Sequence, residues 1–450
     1  MKNRAPEDGL GRWAQATLLM IAAIVLWNNL ARFENPTGEK SVPMFNAGQV
    51  DFSYTYLGAR ALLAGVNPYH NYDPRFVHPI FPPDAYYGFR QIYPPGNLLV
   101  HIPLAFLKGE DWQAAGRIWF RLSVLELVGL TFVVSTSAKR VLEKSLPILT
   151  TVIVFVCLSF NTGVQLALER GQSDILAALL AWSAVACFLN RRSGLASFLA
   201  ICSVSIKGYA LLLAVGLVLL GLDRRHFRST LIGVAAAVVA FVLPVLRFFP
   251  EAAQAVRSRS EMFWSVWYNH SFANAVAYWW PAGRSFGRIV LSLFGALTST
   301  FLLWHSREAL RKESQAEAAF WLVAFATAAL ATVVGYSNLS ISYNLITVFP
   351  GALVLSLAQR QPSDGRERSW LPSTHSALLL IATLLLFCCR IGGRAPGSPN
   401  GFPASAFGLV LIVLWLAWTT VRLASPGRHS TDGPGENGSR NEARSGRRRC

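Results

Sequence analysis

The sequence predicts an all-α protein that crosses a membrane many times. Three observations carry this prediction. The chain has 450 residues, 53% hydrophobic and only 14% charged, where a soluble domain carries about 25% charged residues. The apolar residues come in blocks of membrane-spanning length, about 20 residues each. The Lys and Arg residues, which set a net charge of +17, gather in short loops between those blocks and in the tail "RNEARSGRRRC". That is positive-inside topology, and it argues against nucleic acid as a partner.

The elements follow in order. Residues 1–13 form a cytoplasmic N-terminus and 14–33 the first span. The stretch after it, "NNLARFENP", offers no small-residue cleavage site, so the span is expected to stay. A long external loop, 34–112, comes next. In it, Phe52, Tyr56, Ala59 and Leu63 share one stripe at helical spacing, which predicts a helix along the membrane surface. Gly65 ends it, and "VNPYHNYDP" is turn-rich. The segment "YPPGNLLVHIPLAFL" (93–107) is apolar but short, and it contains Pro103 and His101. Counting it as a span would put every later basic loop outside, so it is expected to be interfacial or re-entrant.

Further spans are expected near 113–138, 146–161, 173–190, 194–222, 229–249, 284–304, 317–336, 340–358, 374–391 and 404–424. The run 194–222 is too long for one helix and is interrupted at Ile206–Tyr209, so it is split in two. The total is about twelve spans at ~20 residues each. "KRVLEK" (139–144), "RR" (191–192), "DRRHFR" (223–228), "REALRK" (307–312), "QRQPSDGRER" (359–368) and the tail at 425–450 then all face the cytoplasm. The tail is polar enough to be disordered and basic enough to touch anionic lipid. The six cysteines, five of them in apolar runs, imply no disulfide framework.

The external side collects the residues with chemistry. Asp51 stands just beyond the first span; it can act as a general base on a hydroxyl, or cap the helix that follows. "ERGQSD" brings Glu169, Arg170, Gln172 and Asp174 between two spans, either as a sugar or phosphate site or as a solvated loop with a helix cap. Lys207 follows only about twelve apolar residues, so it is expected at or just below the outer interface, snorkelling or paired with an anion such as a lipid phosphate. The loop 250–283 carries Arg257 and Arg259, then Asn269 and His270 among tryptophans. Guanidinium groups suit phosphate and aromatic faces suit sugar rings, although Trp279 and Trp280 also suit an interfacial belt. No glycine-rich phosphate loop, H-E-x-x-H motif or D-x-D pair in the first external loop is present, so no metal and no cofactor is indicated.

The order of these motifs carries a resemblance: an early external acid, "YLGARALLAGVNPY", "YPPGNLLVHIPLAFL", "ERGQSDILAALLAWSAVACFL", "LASFLAICSVSIKGYALLLAVGLVLL", a basic loop and a later "NHS". The chain resembles the bacterial polytopic glycosyltransferases of family 87. These are GT-C-fold enzymes that include polyprenyl-phosphate-mannose-dependent α-1,2-mannosyltransferases. The likeness covers roughly residues 15–360. Members often carry Asn after G-Q and Pro after I-K, where this chain has Ser173 and Gly208.

The resemblance implies a carboxylate base in the first external loop, and Asp51 is the matching position. It implies inverting transfer of a hexosyl unit, mannosyl by family likeness, from a polyprenyl-phosphate donor to a glycolipid or glycan hydroxyl. Lys207, Arg257, Arg259 and Arg170 would hold the donor phosphate. Tyr54, Tyr93, Glu169, Gln172, Asn269 and His270 would bind sugar or acceptor. The enzyme would sit in the bacterial inner membrane with its site extracytoplasmic and both termini cytoplasmic. The competing class is a lipid or sugar transporter or flippase, but transporters carry ionisable residues near the midplane and related halves. Here the polar candidates gather at one face.

Overall fold

The structure, a computed structural model, describes residues 50–70, 93–109, 111–143, 148–223, 226–262, 271–312, 314–336, 342–358, 373–387 and 404–424, together with Thr17. Thr17 apart, the expected first span at 14–33 lies outside the described residues, as do 34–49, 71–92 and the tail at 425–450. Every regular element among the described residues is helical.

Two short helices come first: α1 (Val50–Leu63) and α2 (Gly96–Lys108). At 1.5 Å per residue, α2 is about 20 Å long, short of a ~30 Å bilayer core. Phe52, Tyr56 and Ala59 of α1 are fully buried, packed with Leu104, Ala105, Ala115 and Trp119. The apolar stripe of α1 is thus spent on protein and not on lipid. Leu63, the last residue of α1, is 47% exposed and does not join it.

The bundle begins with α3 (Trp112–Leu142), capped by Asp111, whose side chain accepts from Ala114 N at 2.9 Å. Next are α4 (Ile148–Phe160) and α5 (Thr162–Arg170), joined at Asn161. Asn161 caps α5 by accepting from Gly163 N and Val164 N, and the pair is bent by 61° between Thr151–Phe160 and Gly163–Arg170. The hydropathy pattern predicts one span ending at 161, but the chain makes a further helix before the "GQSD" turn.

Then α6 (Asp174–Leu189), α7 (Ser193–Lys207) and α8 (Leu211–Gly221) run back and forth. The break between α7 and α8 falls where "IKGY" predicts it, with Gly208 at φ +24°. The helix α9 (Phe227–Ala237) continues through a π turn, Val238–Val242, and a 3-10 turn, Leu243–Phe248, into α10 (Phe249–Met262). Pro244 and Pro250 lack the N–H that a regular α-helix would need there. The remainder is α11 (Phe272–Trp279), α12 (Arg284–Arg311), α13 (Gln315–Tyr336), α14 (Phe349–Ala358), α15 (Ser373–Phe387) and α16 (Ala404–Ala424).

Trp112–Leu142, Phe227–Ala255, Pro281–Arg311 and Gln315–Tyr336 are long and apolar enough to cross a membrane, and the bent pair α4–α5 would add a fifth. Other apolar runs form shorter helices, α6, α7, α8 and α14 among them. Short helices are tolerated at membrane depth where their ends are buried in protein. The core is α13, 94% of whose most apolar window is buried. Small residues let neighbours close on it: Gly216 of α8 faces Phe325, and Gly295 of α12 faces Thr332.

The alternation of α6, α7 and α8 gives the bundle two distinct ends. Asp174, Lys207 and Leu211 lie at one, and Leu189, Ser193 and Gly221 at the other. They are about 24 Å apart, the length of α6.

Candidate active site

The site end is built from turns that local chemistry fixes. Gly65 takes φ +75°, which frees the chain to leave α1. Asn67 then accepts a bond from Tyr69 N at 2.9 Å, an Asx turn. Tyr69 in turn donates its hydroxyl to the carbonyl of Tyr93 at 2.7 Å. So "GVNPY" clamps the start of "YPPG". Pro94 and Pro95 stiffen that start, and α2 opens at Gly96. A β-carbon on Gly96 would fall 2.6 Å from Ser205 Cβ, so only glycine lets α2 lie this close to α7. The close approach brings Tyr93 over Lys207.

Lys207 is 3% exposed. Its Nζ lies 3.0 Å from Asp174 Oδ2, donates to Gln172 Oε1 at 2.7 Å, and stands 4.0 Å from the centre of the Tyr93 ring. Gln172 donates through Nε2 to the Tyr93 hydroxyl at 2.6 Å. Lys207, Gln172 and Tyr93 form a closed circuit, which Asp174 joins through Lys207. The lysine neither snorkels nor waits for an outside anion: its counter-ion is Asp174, fully buried at the start of α6. A buried cation is tolerated only when paired and hydrogen-bonded, and here it is both.

Beside this circuit, Arg170 Nη1 lies 3.4 Å from Asp51 Oδ2. Asp51 is 7% exposed and sits in the first turn of α1. Arg170 ends α5, and Gly171 at φ +67° reverses the chain into Gln172. The segment 170–174 therefore serves both groups. Trp119 pins it by donating Nε1–H to the Gly171 carbonyl at 3.0 Å.

Two further residues belong here that sequence reasoning did not select. His101 makes tilted ring contacts with Trp119, at 4.2 Å, and Phe52, at 5.6 Å between ring centres. Its Nδ1 faces the Asn97 carbonyl at 2.9 Å. That carbonyl can only accept, so Nδ1 carries the proton and Nε2 presents a lone pair. Burial pushes the imidazole down to about 4, against the pull of the Asn97 carbonyl and with the help of Lys207's charge. His101 Nε2 and Asn97 Oδ1 are buried and have no hydrogen-bond partner among the described residues. The available signal was a lone histidine in an apolar run, four residues after an asparagine.

The structure thus brings together Asp51, Arg170, Tyr93, Gln172 and Lys207, and adds Asp174 from the same "ERGQSD" segment. Tyr54 is half-buried on α1, and Glu169 is exposed in the last turn of α5. Ser173 precedes α6 but its side chain does not cap it. Arg257 and Arg259 fall on α10, but their side chains lie outside the description. Asn269 and His270 lie outside the described residues altogether. No three His, Cys, Asp or Glu side chains among the described residues are grouped to hold a metal ion.

The arrangement can hold an anion near Arg170 and accept a proton at Asp51, with a rigid polar circuit behind both. A model of glycosyltransferase family 87 matches residues 92–336, more than half of the chain. The match takes in Tyr93, Arg170, Gln172, Asp174 and Lys207 and leaves Asp51 outside it. A comparison with curated proteins finds no match.

Proposed function

The chain belongs to glycosyltransferase family 87 and is a membrane glycosyltransferase, and from that premise we propose that it moves a hexosyl unit, mannose, from a polyprenyl phosphate to a hydroxyl of a glycolipid or glycan. Asp51 takes the proton of the acceptor hydroxyl while its oxygen attacks the anomeric carbon. The bond from that carbon to the phosphate oxygen breaks, its electron pair leaves on the phosphate, and the configuration inverts. A phosphate is already a good leaving anion, so the reaction needs positive charge near it more than a general acid.

The observation that carries this reading is the contact between Asp51 and Arg170, a nearly buried carboxylate held by a cation that is still 35% exposed. Arg170 orients the base, and its partly exposed guanidinium has the planar fork that suits a phosphate. Lys207, its charge offset by Asp174, holds Gln172 and Tyr93 for sugar or acceptor. Tyr54 and Glu169 are further candidates for that surface, and by family likeness Asn269 and His270 would bind sugar or acceptor and Arg257 and Arg259 the phosphate. The fold is GT-C with twelve spans. The site faces the extracytoplasmic side of the bacterial inner membrane, with both termini cytoplasmic, and the basic loops at the far end of the bundle support that orientation.

The test is transfer itself. Purified protein is incubated with radiolabelled polyprenyl-phosphate mannose and a glycolipid acceptor, and the labelled product is sought. Asp51→Asn is expected to remain folded and lose nearly all turnover. Wild-type turnover in that variant would remove Asp51 as base. Movement of the donor lipid across the bilayer without transfer would overturn the reading as a whole.

A further inference from the structure

The other end of the bundle holds a cavity of about 520 Å³. It opens where α3, α6, α8 and α12 end and where α7 and α13 begin. Arg140, Arg191, Arg307 and Arg311 line it, with His226. Asp223 is the one carboxylate among the described residues that line it. Glu308, the nearest acid on α12 that could offset Arg307 and Arg311, is already taken by Lys312 at 2.7 Å. The helix ends and the turn that supply these arginines are far apart in sequence, so the folded chain concentrates a charge that no single segment holds.

Two details show how the arginines are presented. Arg140 donates to Asn190 Oδ1 at 2.6 Å, which fixes its guanidinium at the cavity wall and uses one of five donors. Arg191 has φ +61°, a left-handed backbone that a residue with a β-carbon seldom adopts. The tight α6–α7 turn, with Arg191 N bonded to the Phe188 carbonyl at 2.9 Å, holds it there.

We propose that this cavity is a second binding site, distinct from the transfer site, and that it takes a phosphate-ester anion. Planar guanidinium groups match phosphate oxygens in pairs, and a cluster of them at the water-facing end of a helical bundle is the chemistry that recognises anionic lipid head groups. The cavity volume lies within the range of small-molecule sites, large enough for a phosphate with its glycerol. The source of the phosphate is either a lipid head group or a soluble phosphate, and the same contacts serve both.

The test needs no transfer activity. The full chain in a neutral detergent is melted with increasing short-chain phosphatidylglycerol, inorganic phosphate, or short-chain phosphatidylcholine. Phosphatidylglycerol is expected to raise the melting midpoint, and phosphatidylcholine to do so far less. Arg307→Gln/Arg311→Gln is expected to weaken the apparent affinity about tenfold or more, as loss of charged hydrogen bonds predicts. Lys139→Gln/Arg228→Gln removes the same charge at the same end from exposed positions outside the cavity lining, leaves the Lys312–Glu308 pair in place, and should bind like wild type. If the first pair fails to fold, Arg140→Gln/Arg191→Gln replaces it. An equal shift with inorganic phosphate alone supports the site and names a soluble ligand. No shift with either anion, an equal shift with phosphatidylcholine, or equal loss in the Lys139→Gln/Arg228→Gln control would overturn the proposal.

Discussion

Lys207 and Asp174 form an ion pair at 3.0 Å between the end of α7 and the start of α6, with both side chains almost wholly withdrawn from solvent. Such a pair stabilises less by its own attraction than by the penalty for breaking it. Asp174→Asn leaves a buried ammonium uncompensated, which costs about 3–5 kcal/mol. Lys207→Met leaves the carboxylate in the same position. The double variant removes both charges and should be more stable than the sum of the single losses allows. Denaturation of the three variants in detergent measures this, and strictly additive losses would mean that the two groups do not interact.

Gly96 sets how closely α2 approaches α7. With Ser205 Cβ 2.6 Å from where a β-carbon would stand, Gly96→Ala must push the helices apart. Overpacking of this kind costs about 1–3 kcal/mol. The larger effect should fall on activity, because Tyr93 lies three residues before Gly96 and would leave Lys207. Gly109→Ala provides the contrast: φ is +54° there but the space is open. It should cost stability through backbone strain and leave the Tyr93 contacts intact. Comparing melting midpoint with transfer rate in both variants separates the two effects, and a fully active Gly96→Ala would show that the approach is not needed.

His101 makes stability depend on acid. Its ordinary value is 6.5, and burial in the folded protein lowers it to about 4. Between those values the unfolded chain binds the extra proton and the folded protein does not. Stability is therefore complete above about pH 6.5 and falls as pH drops toward 4, by up to about 3 kcal/mol for this one group. His101→Phe keeps an aromatic ring against Trp119 and Phe52 but cannot take the proton. Its melting midpoint should fall less than wild type between pH 7 and pH 5. Parallel curves would assign the acid sensitivity elsewhere.

Much of this was legible in the chain because it depends on local pattern. The break at 206–209 shows as a lysine and a glycine inside an apolar run. The shortness of α2 shows in an apolar run, 93–107, that is too brief for a span and is interrupted by His101 and Pro103. Phe52, Tyr56 and Ala59 share one helix face as their spacing predicts, but that face packs on protein where the membrane surface was expected, and Leu63 stays exposed. What the sequence did not reveal is pairing at a distance. Asp174 and Lys207 each stood out as polar residues near a membrane face, but nothing local says that one neutralises the other. The short helix α5 was hidden because Gln165, Glu169 and Arg170 interrupt its hydropathy. His101 was hidden for the opposite reason, as a lone polar residue on an apolar face normally reads as packing. The basin of arginines at the far end was read only as a topology signal, since its parts come from segments far apart in sequence.

Arg170 decides between two accounts of the site. It can serve only to aim the Asp51 carboxylate, or it can also meet the donor phosphate with the part of its side chain that stays in solvent. Arg170→Lys retains the charge but loses the fork that holds a carboxylate and a phosphate together. If the arginine only aims the base, kcat should drop in Arg170→Lys with the donor KM unchanged, because nothing that binds donor has been removed. If it also holds phosphate, the donor KM should rise as well, and Arg170→Gln should raise it further. We expect the second pattern, since an arginine needed only for aim gains nothing from standing 35% exposed. Steady-state kinetics with donor varied at fixed acceptor reads both constants. An unchanged donor KM in Arg170→Gln would remove the phosphate contact and leave Arg170 as a positioning residue for Asp51.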